Sequence, residues 1–220
     1  MDARIVHVTT SSMIQNPLVG RFVRLDLLRA DDTAEIAAAA ASGGRETYGY
    51  GPVPSDDPTV NGAEDAQAYV ARRLASLADG LWIPLVQRRA DDGLVVGMTN
   101  YIMVDSRLDR PSPPTAIEIG GTWLAPMAQR TPINTEAKLL LMTRAFDEWH
   151  VLRAQIKTDA RNERSRAAIL RLGATFEGVL RNFQPGNGDI GTGAQRDTAM
   201  YSVIDSEWPS VRARLEAMLD

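Results

Sequence analysis

A chain of 220 residues, 44% apolar and 24% charged, has the material for one sizeable hydrophobic core and the composition of an ordinary globular protein. It has no cysteine, which excludes disulfides, thiolate metal sites and thiol nucleophiles, and only two histidines, so no metal is expected. A formal net charge of −4 argues against non-specific nucleic-acid binding, and no apolar run approaches the roughly 20 residues that span a bilayer, so neither nucleic acid nor membrane is an expected partner.

Residues 1–17 read as a loose leader without a signal-peptide core, pointing to a cytoplasmic protein, and residues 18–220 as a single domain. Residues 21–28 alternate as a first strand, with Phe22, Leu25 and Leu27 packing inward. Asp31, Asp32 and Thr33 start a helix through an alanine run that Gly43 and Gly44 end. Residues 45–62 form a long Gly/Pro/Asp-rich loop carrying Tyr48 and Tyr50, of the kind that is often functional. A helix follows over about 63–78, where Ala66, Tyr69, Val70, Leu74 and Leu77 make one stripe. Residues 81–87 read as a strand that Pro84 assigns to an edge or a bulge. The Asp91-Asp92-Gly93 turn joins it in a hairpin to a strand over 94–104, and a Pro/Arg/Ser loop over 107–114 leads onward.

The stretch 117–136, IEIGGTWLAPMAQRTPINTE, passes from a strand pattern through a polar loop into a helix start. Thr131 is the expected N-cap and Pro132 the first helical residue, where a missing N–H costs nothing. Such a junction can bind an anion, because the first helical N–H groups lack partners and the macrodipole is positive there. It can equally be a well-capped helix start and nothing more. The helix continues with Ala137, Leu140, Leu141, Ala145 and Trp149 on one face. A strand over 152–158 precedes a second polar helix start at Asn162, and that helix ends at Gly173. Strands over about 174–182 and 197–204 flank a Gly-rich loop, 185–194, and an amphipathic helix closes the chain. The order β-α-α-β-β-β-α-β-α-β-β-α fits an α/β (α+β) fold with a single mixed sheet flanked by helices and parallel pairing at the β-α-β unit around the central helix.

That order, with WLAPMAQRTPINTEA and DARNERSRAAILRLGATFEGVLR, resembles the GNAT superfamily of acyl-CoA-dependent N-acyltransferases, in its RimJ/RimL-like branch, over about residues 18–210. The resemblance implies a mostly antiparallel sheet with helices on both faces, and acetyl-CoA or another acyl-CoA as co-substrate. It implies an amine acceptor, either a small molecule or a peptide N-terminus, and it makes a homodimer an open possibility. The family's diphosphate loop, Gln/Arg-x-x-Gly-x-Gly/Ala, falls on Gln129 to Asn134, with Pro132 where glycine is usual. Proline fixes φ and donates nothing, so Arg130, Thr131, Ile133, Asn134 and Thr135 are left to supply the donors. Losing one backbone bond to a phosphate costs about 1.5–3 kcal/mol.

By the same resemblance Asn162 contacts the pantetheine arm, Ser165 lies near the sulfur as the acid that protonates the departing thiolate, and Arg166 is one of several arginines available to CoA phosphates. On spacing alone Asn162 and Ser165 are ordinary N-cap chemistry. Direct transfer needs an amide N–H for the oxyanion, expected near Leu124 beside Trp123, and a base for the amine, for which Glu118 is the candidate. Glu118 also reads as an outward strand residue or an ion-pair partner. Deprotonating an α-amino group at pH 7 costs about 1 kcal/mol and a lysine about 4.6 kcal/mol, so a base matters most for a lysine-like acceptor. Tyr48, Tyr50, Trp82, Tyr101 and Trp123 are the aromatics expected on the acceptor side. An alternative function is a GNAT-fold protein that binds CoA without turnover, which Pro132 would favour.

Overall fold

The computed structural model describes residues 16–43, 45–48, 50, 53–54, 65–104, 114–185 and 195–220. The expected leader, except for Asn16 and Pro17, and most of the loops over 45–62, 107–114 and 185–194 lie outside them.

Eight described strands make one sheet: β1 (Leu18–Val19), β2 (Val23–Leu27), β3 (Trp82–Arg89), β4 (Val95–Met103), β5 (Ala116–Leu124), β6 (Arg153–Asp159), β7 (Thr175–Pro185) and β8 (Gln195–Ile204). Their spatial order is β1-β2-β3-β4-β5-β6-β8-β7. Among the described pairs only β5–β6 is parallel. The helices are α1 (Thr33–Ala41), α2 (Arg45–Tyr48), α3 (Ala66–Ala78), α4 (Ile133–Thr143), α5 (Glu163–Leu172) and α6 (Trp208–Ala217). The mixed, mostly antiparallel sheet with one parallel β-α-β unit is the expected architecture. The short β1 and α2 add to it.

Register assigns the side chains to two faces, because residues directly opposite each other share a face. Ile83, Tyr101 and Ile119 form one row. With Ile117, Ala154, Ile156 and Tyr201 they make the larger core, which α4 closes with Ala137 and Leu141, the turn after it with Ala145, and α6 with Trp208, Val211 and Leu215. Trp82, Ile102 and Glu118 form the alternate row on the other face. Further along that face, Val86, Met98 and Trp123 pack under Ile36 and Ala40 of α1 and Tyr69 and Val70 of α3.

Beside and along β2, Leu25 and the half-buried Phe22 and Leu27 pack against the larger core as expected, and Val23 joins them. Other local expectations are corrected. Strand β3 is interior, paired with both β2 and β4. Pro84 is tolerated there because β2 ends opposite Leu85, and the one bond that Pro84 offers on that side is its carbonyl, which accepts from Leu28 N–H at 3.0 Å. Tyr101 belongs to the larger core, its hydroxyl donating to Leu141 O at 2.7 Å, and is not on the acceptor side.

The edge hairpin is pinned by one carboxylate. Glu136, 7% exposed in the first turn of α4, accepts backbone N–H bonds from Arg21 (2.8 Å), Phe22 (2.6 Å) and Val23 (2.8 Å). It is a structural residue.

Candidate active site

Strands β5 and β6 pair at Ala116↔Arg153, Ile117↔Ala154 and Glu118↔Gln155. The pairing ends there although β5 runs on to Leu124 and β6 to Asp159, so the two strands part and leave a gap. Opposite the gap β5 carries a bulge: Gly121 and Thr122 face the single residue Thr99 between the pairs Asn100↔Gly120 and Met98↔Trp123. Gly121 makes this possible with φ +57°, and a Cβ there would stand 2.6 Å from Asn100 Nδ2. Past the bulge, Ala125 N–H donates to Val96 O at 2.8 Å. Alternation along the strand therefore turns the N–H and C=O of Leu124 toward the gap. Its carbonyl accepts from Gln129 Nε2 at 3.0 Å, and its N–H faces the opening.

The chain then makes a one-turn 3₁₀ segment, Pro126–Ala128, and Arg130 takes a left-handed φ of +61° before α4 begins. The helix starts one residue later than expected, with Pro132 at the N-cap. Thr131 is not the cap because its hydroxyl donates to Ala128 O at 2.7 Å and only weakly accepts Ile133 N–H, at 3.4 Å. Glu136 N–H already bonds Pro132 O at 2.9 Å, so the amides of Ile133, Asn134 and Thr135 are the ones at the positive end of the helix without an intrahelical acceptor. The side chains of Ile133 and Thr135 are buried, and Thr135 Oγ1 accepts from Arg171 Nη2 at 3.3 Å. Asn134 lines the opening with a buried Oδ1 that has no partner among the described residues. Such an atom is uncommon and suits a ligand.

On the other wall, Asn162 caps α5 by accepting Ser165 N–H at 3.0 Å, and half-buried Ser165 lines the cleft. Arg166 is not brought to it: Nε donates to Tyr201 Oη and Nη1 to Ala160 O, both at 3.1 Å. Arg164 donates to Thr47 O at 2.7 Å and still borders the cleft. Glu118, 3% exposed, accepts from Lys157 Nζ at 3.0 Å and Gln155 Nε2 at 3.1 Å. The ion-pair reading of Glu118 and its position in the cleft therefore hold together. The indole of Trp123 packs edge-on against Tyr48 and donates to Tyr69 Oη at 3.2 Å, which leaves the cleft its backbone and ring edge. Burial pushes the Tyr48 hydroxyl up to about 12, whereas Tyr50 is 40% exposed.

These elements enclose a cleft of about 1260 Å³. Among its described lining residues Arg73, Arg130, Lys138, Lys157, Arg164, Arg171 and Arg196 are cationic and Glu118 is the lone carboxylate. A chain with net negative charge has thus gathered positive charge in one place, the pattern that draws in a polyanion. Lys138 is the most unusual of the set. It is 4% exposed on α4 and meets only hydroxyls among the described residues, Thr122 Oγ1 at 2.7 Å and Thr99 Oγ1 at 3.2 Å beneath the bulge. Burial lowers its pKa to about 7.

The family model of the acetyltransferase (GNAT) domain matches residues 23–175. The chain belongs to the GNAT acetyltransferase family. It is an N-acetyltransferase, and solved members share its fold. A candidate acetyltransferase from T. thermophilus is 30% identical, with 94% of this chain and 98% of that one covered and a TM-score of 0.75. A GCN5-related N-acetyltransferase from Brucella melitensis is 27% identical over 94% of this chain and 86% of that one, with a TM-score of 0.74. RimJ from Mycobacterium smegmatis, solved with CoA-disulfide, is similar in fold at 23% identity, with 89% and 88% covered and a TM-score of 0.70. No curated protein matches the sequence.

Four charged cleft residues of this GNAT enzyme escape a reading of the sequence alone: Arg73, Lys138, Lys157 and Arg196. Two had a signal. Arg73 lies inside the stripe of Tyr69, Val70 and Leu77, and Lys138 inside that of Leu141, Met142 and Ala145. A charge at a core position of an amphipathic helix is either paired or used.

Proposed function

We propose that this enzyme transfers the acetyl group of acetyl-CoA directly to a primary amine, both substrates being bound together. The parting of β5 from β6 after Glu118↔Gln155, with the first amides of α4 at one end and Leu124 N–H on its rim, is the observation that carries the reading. The amides of Ile133, Asn134 and Thr135, with Arg130 and the hydroxyl of Thr131 beside them, hold the diphosphate despite Pro132, and the basic lining adds long-range attraction. The pantetheine arm lies in the gap against Asn162. Leu124 N–H meets the thioester oxygen as negative charge develops there. Glu118, on the row shared with Trp82 and Ile102, receives the amine proton directly or through one water, and Ser165 on α5 returns a proton to the departing thiolate. No acyl-enzyme is needed. Among the described residues no helix is long and apolar enough to cross a membrane.

Calorimetry with acetyl-CoA, followed by thiol release over an amine panel, tests the proposal. Acetyl-CoA binds, and at least one amine releases CoA. Binding without release by any amine favours a CoA-binding protein without turnover, and no binding at millimolar ligand removes both readings. Glu118→Gln lowers kcat about 10²–10⁴-fold and Ser165→Ala lowers kcat more than acetyl-CoA affinity. Wild-type rates in both variants would remove these two assignments.

A further inference from the structure

We propose that Arg73 is the recognition residue for a carboxylate carried by the acceptor, so that the acceptor is an amino acid whose amine reaches the gap while its carboxylate meets Arg73. This rests on the transfer reading above and names the substrate class for the same site.

Arg73 is 2% exposed and lines the cleft from α3. Its guanidinium stands 4.2 Å from the ring centroid of Trp82 and 4.8 Å from that of Tyr69. Stacking occupies the faces of a guanidinium and leaves its in-plane N–H donors unused. Here Nε is buried without an acceptor, and among the described residues no carboxylate or carbonyl takes a hydrogen bond from the group. The chain does not lack acids, having 28 against 24 basic residues, and it pairs half-buried Arg88 and Arg153 with carboxylates. Arg88, on the adjoining strand, meets Asp26, Asp32 and Glu35 at 3.1, 2.6 and 2.7 Å. A buried guanidinium held in place by two rings, with no counter-charge among the described residues, is arranged for an anion that arrives with a ligand.

The floor of the cleft sets the shape of that ligand. Trp82, Ile102 and Glu118 lie in one cross-strand row, so Trp82 and Glu118 are two strand spacings apart, about 10 Å between Cα atoms. Gly120 and Gly121 keep the surface beside them open: a Cβ on Gly120 would lie 2.6 Å from Glu118 Oε1, and one on Gly121 3.5 Å from Trp82 Cζ3. A ligand lying here has an acid near one end, where the amine is needed, and a cation near the other. A fork of N–H donors between two rings suits the planar, bidentate geometry of a carboxylate better than a tetrahedral phosphoryl group.

The test uses the full-length protein and the series from 3-aminopropanoate to 6-aminohexanoate, each compared with its carboxamide and its aminoalkylphosphonate analogue. Thiol release gives kcat/KM with acetyl-CoA. Calorimetry on the CoA-loaded and ligand-free protein gives affinity without turnover. At least one carboxylate exceeds its carboxamide by about tenfold or more, through KM, because the amide leaves the guanidinium unsatisfied. In Arg73→Met that ratio falls to about one, while circular dichroism reports an intact fold. If the methionine variant does not fold, Arg73→Lys decides by a reduced ratio. Equal carboxylate and carboxamide in both assays, or a ratio that survives the substitution, overturns the proposal, and a phosphonate preference overturns the carboxylate. A carboxylate preference in calorimetry without thiol release supports Arg73 and sinks acetyl transfer instead.

Discussion

Glu136→Ala lowers the free energy of unfolding by about 3–5 kcal/mol in a urea titration. The carboxylate accepts three consecutive backbone N–H groups, those of Arg21, Phe22 and Val23, and no other described group lies ready to replace it. Each buried donor left without a partner costs about 1–3 kcal/mol, reduced here because the bonds at Arg21 and Phe22 are only partly buried. Gly20 is built around the same carboxylate, since a Cβ on it would stand 2.4 Å from Cδ and Oε2 of Glu136. Gly20→Ala is therefore destabilising in the wild-type protein and close to neutral in the Glu136→Ala background. A double-mutant cycle shows strong coupling if this contact is real, and additive losses would contradict it.

Lys138→Met moves stability the other way. The lysine pKa is about 7 in the folded protein, against an ordinary value of 10.5, because burial disfavours the charged form. Between those two values the unfolded chain holds a proton that the folded chain does not, so wild-type stability rises with pH across that window. Below about 7 both states are protonated and the full cost of burying the cation is present. Near neutral pH the methionine variant is more stable by about 2–4 kcal/mol, and the advantage shrinks toward pH 10. Thr99 and Thr122 stay satisfied in the variant because their hydroxyls bond each other at 2.9 Å. Denaturant titrations at several pH values check the sign. A destabilised variant, or a gain that does not change with pH, would contradict the account. Thiol release falls in the same variant if this cation serves the cleft, and a more stable, fully active variant would assign Lys138 to the fold alone.

Much of the architecture was legible because it rests on local pattern. Asn162 followed by Ser165 is a cap in the sequence and in space, Gly173 ends α5 at φ +100°, and the stripe from Ala137 to Trp149 buries as its spacing requires. What escaped depends on pairings between distant segments. Pro84 signals an edge strand until the end of β2 opposite it is known. The four arginines at 161, 164, 166 and 171 are equivalent in sequence, yet Arg166 is tied to Tyr201 and Ala160, Arg161 to Asp159, and Arg171 reaches Thr135. Thr131 has every quality of an N-cap, but its hydroxyl is turned to Ala128 O. The gap itself is invisible to periodicity, because each strand keeps its own regular pattern while the two diverge.

A crystal structure of the protein with acetyl-CoA tests the central claim most directly. The expected result is the diphosphate on the amides of Ile133, Asn134 and Thr135, the pantetheine arm between β5 and β6, and the thioester oxygen within about 3 Å of Leu124 N–H. A nucleotide bound elsewhere, or the gap closed by side chains with the ligand excluded, would contradict it.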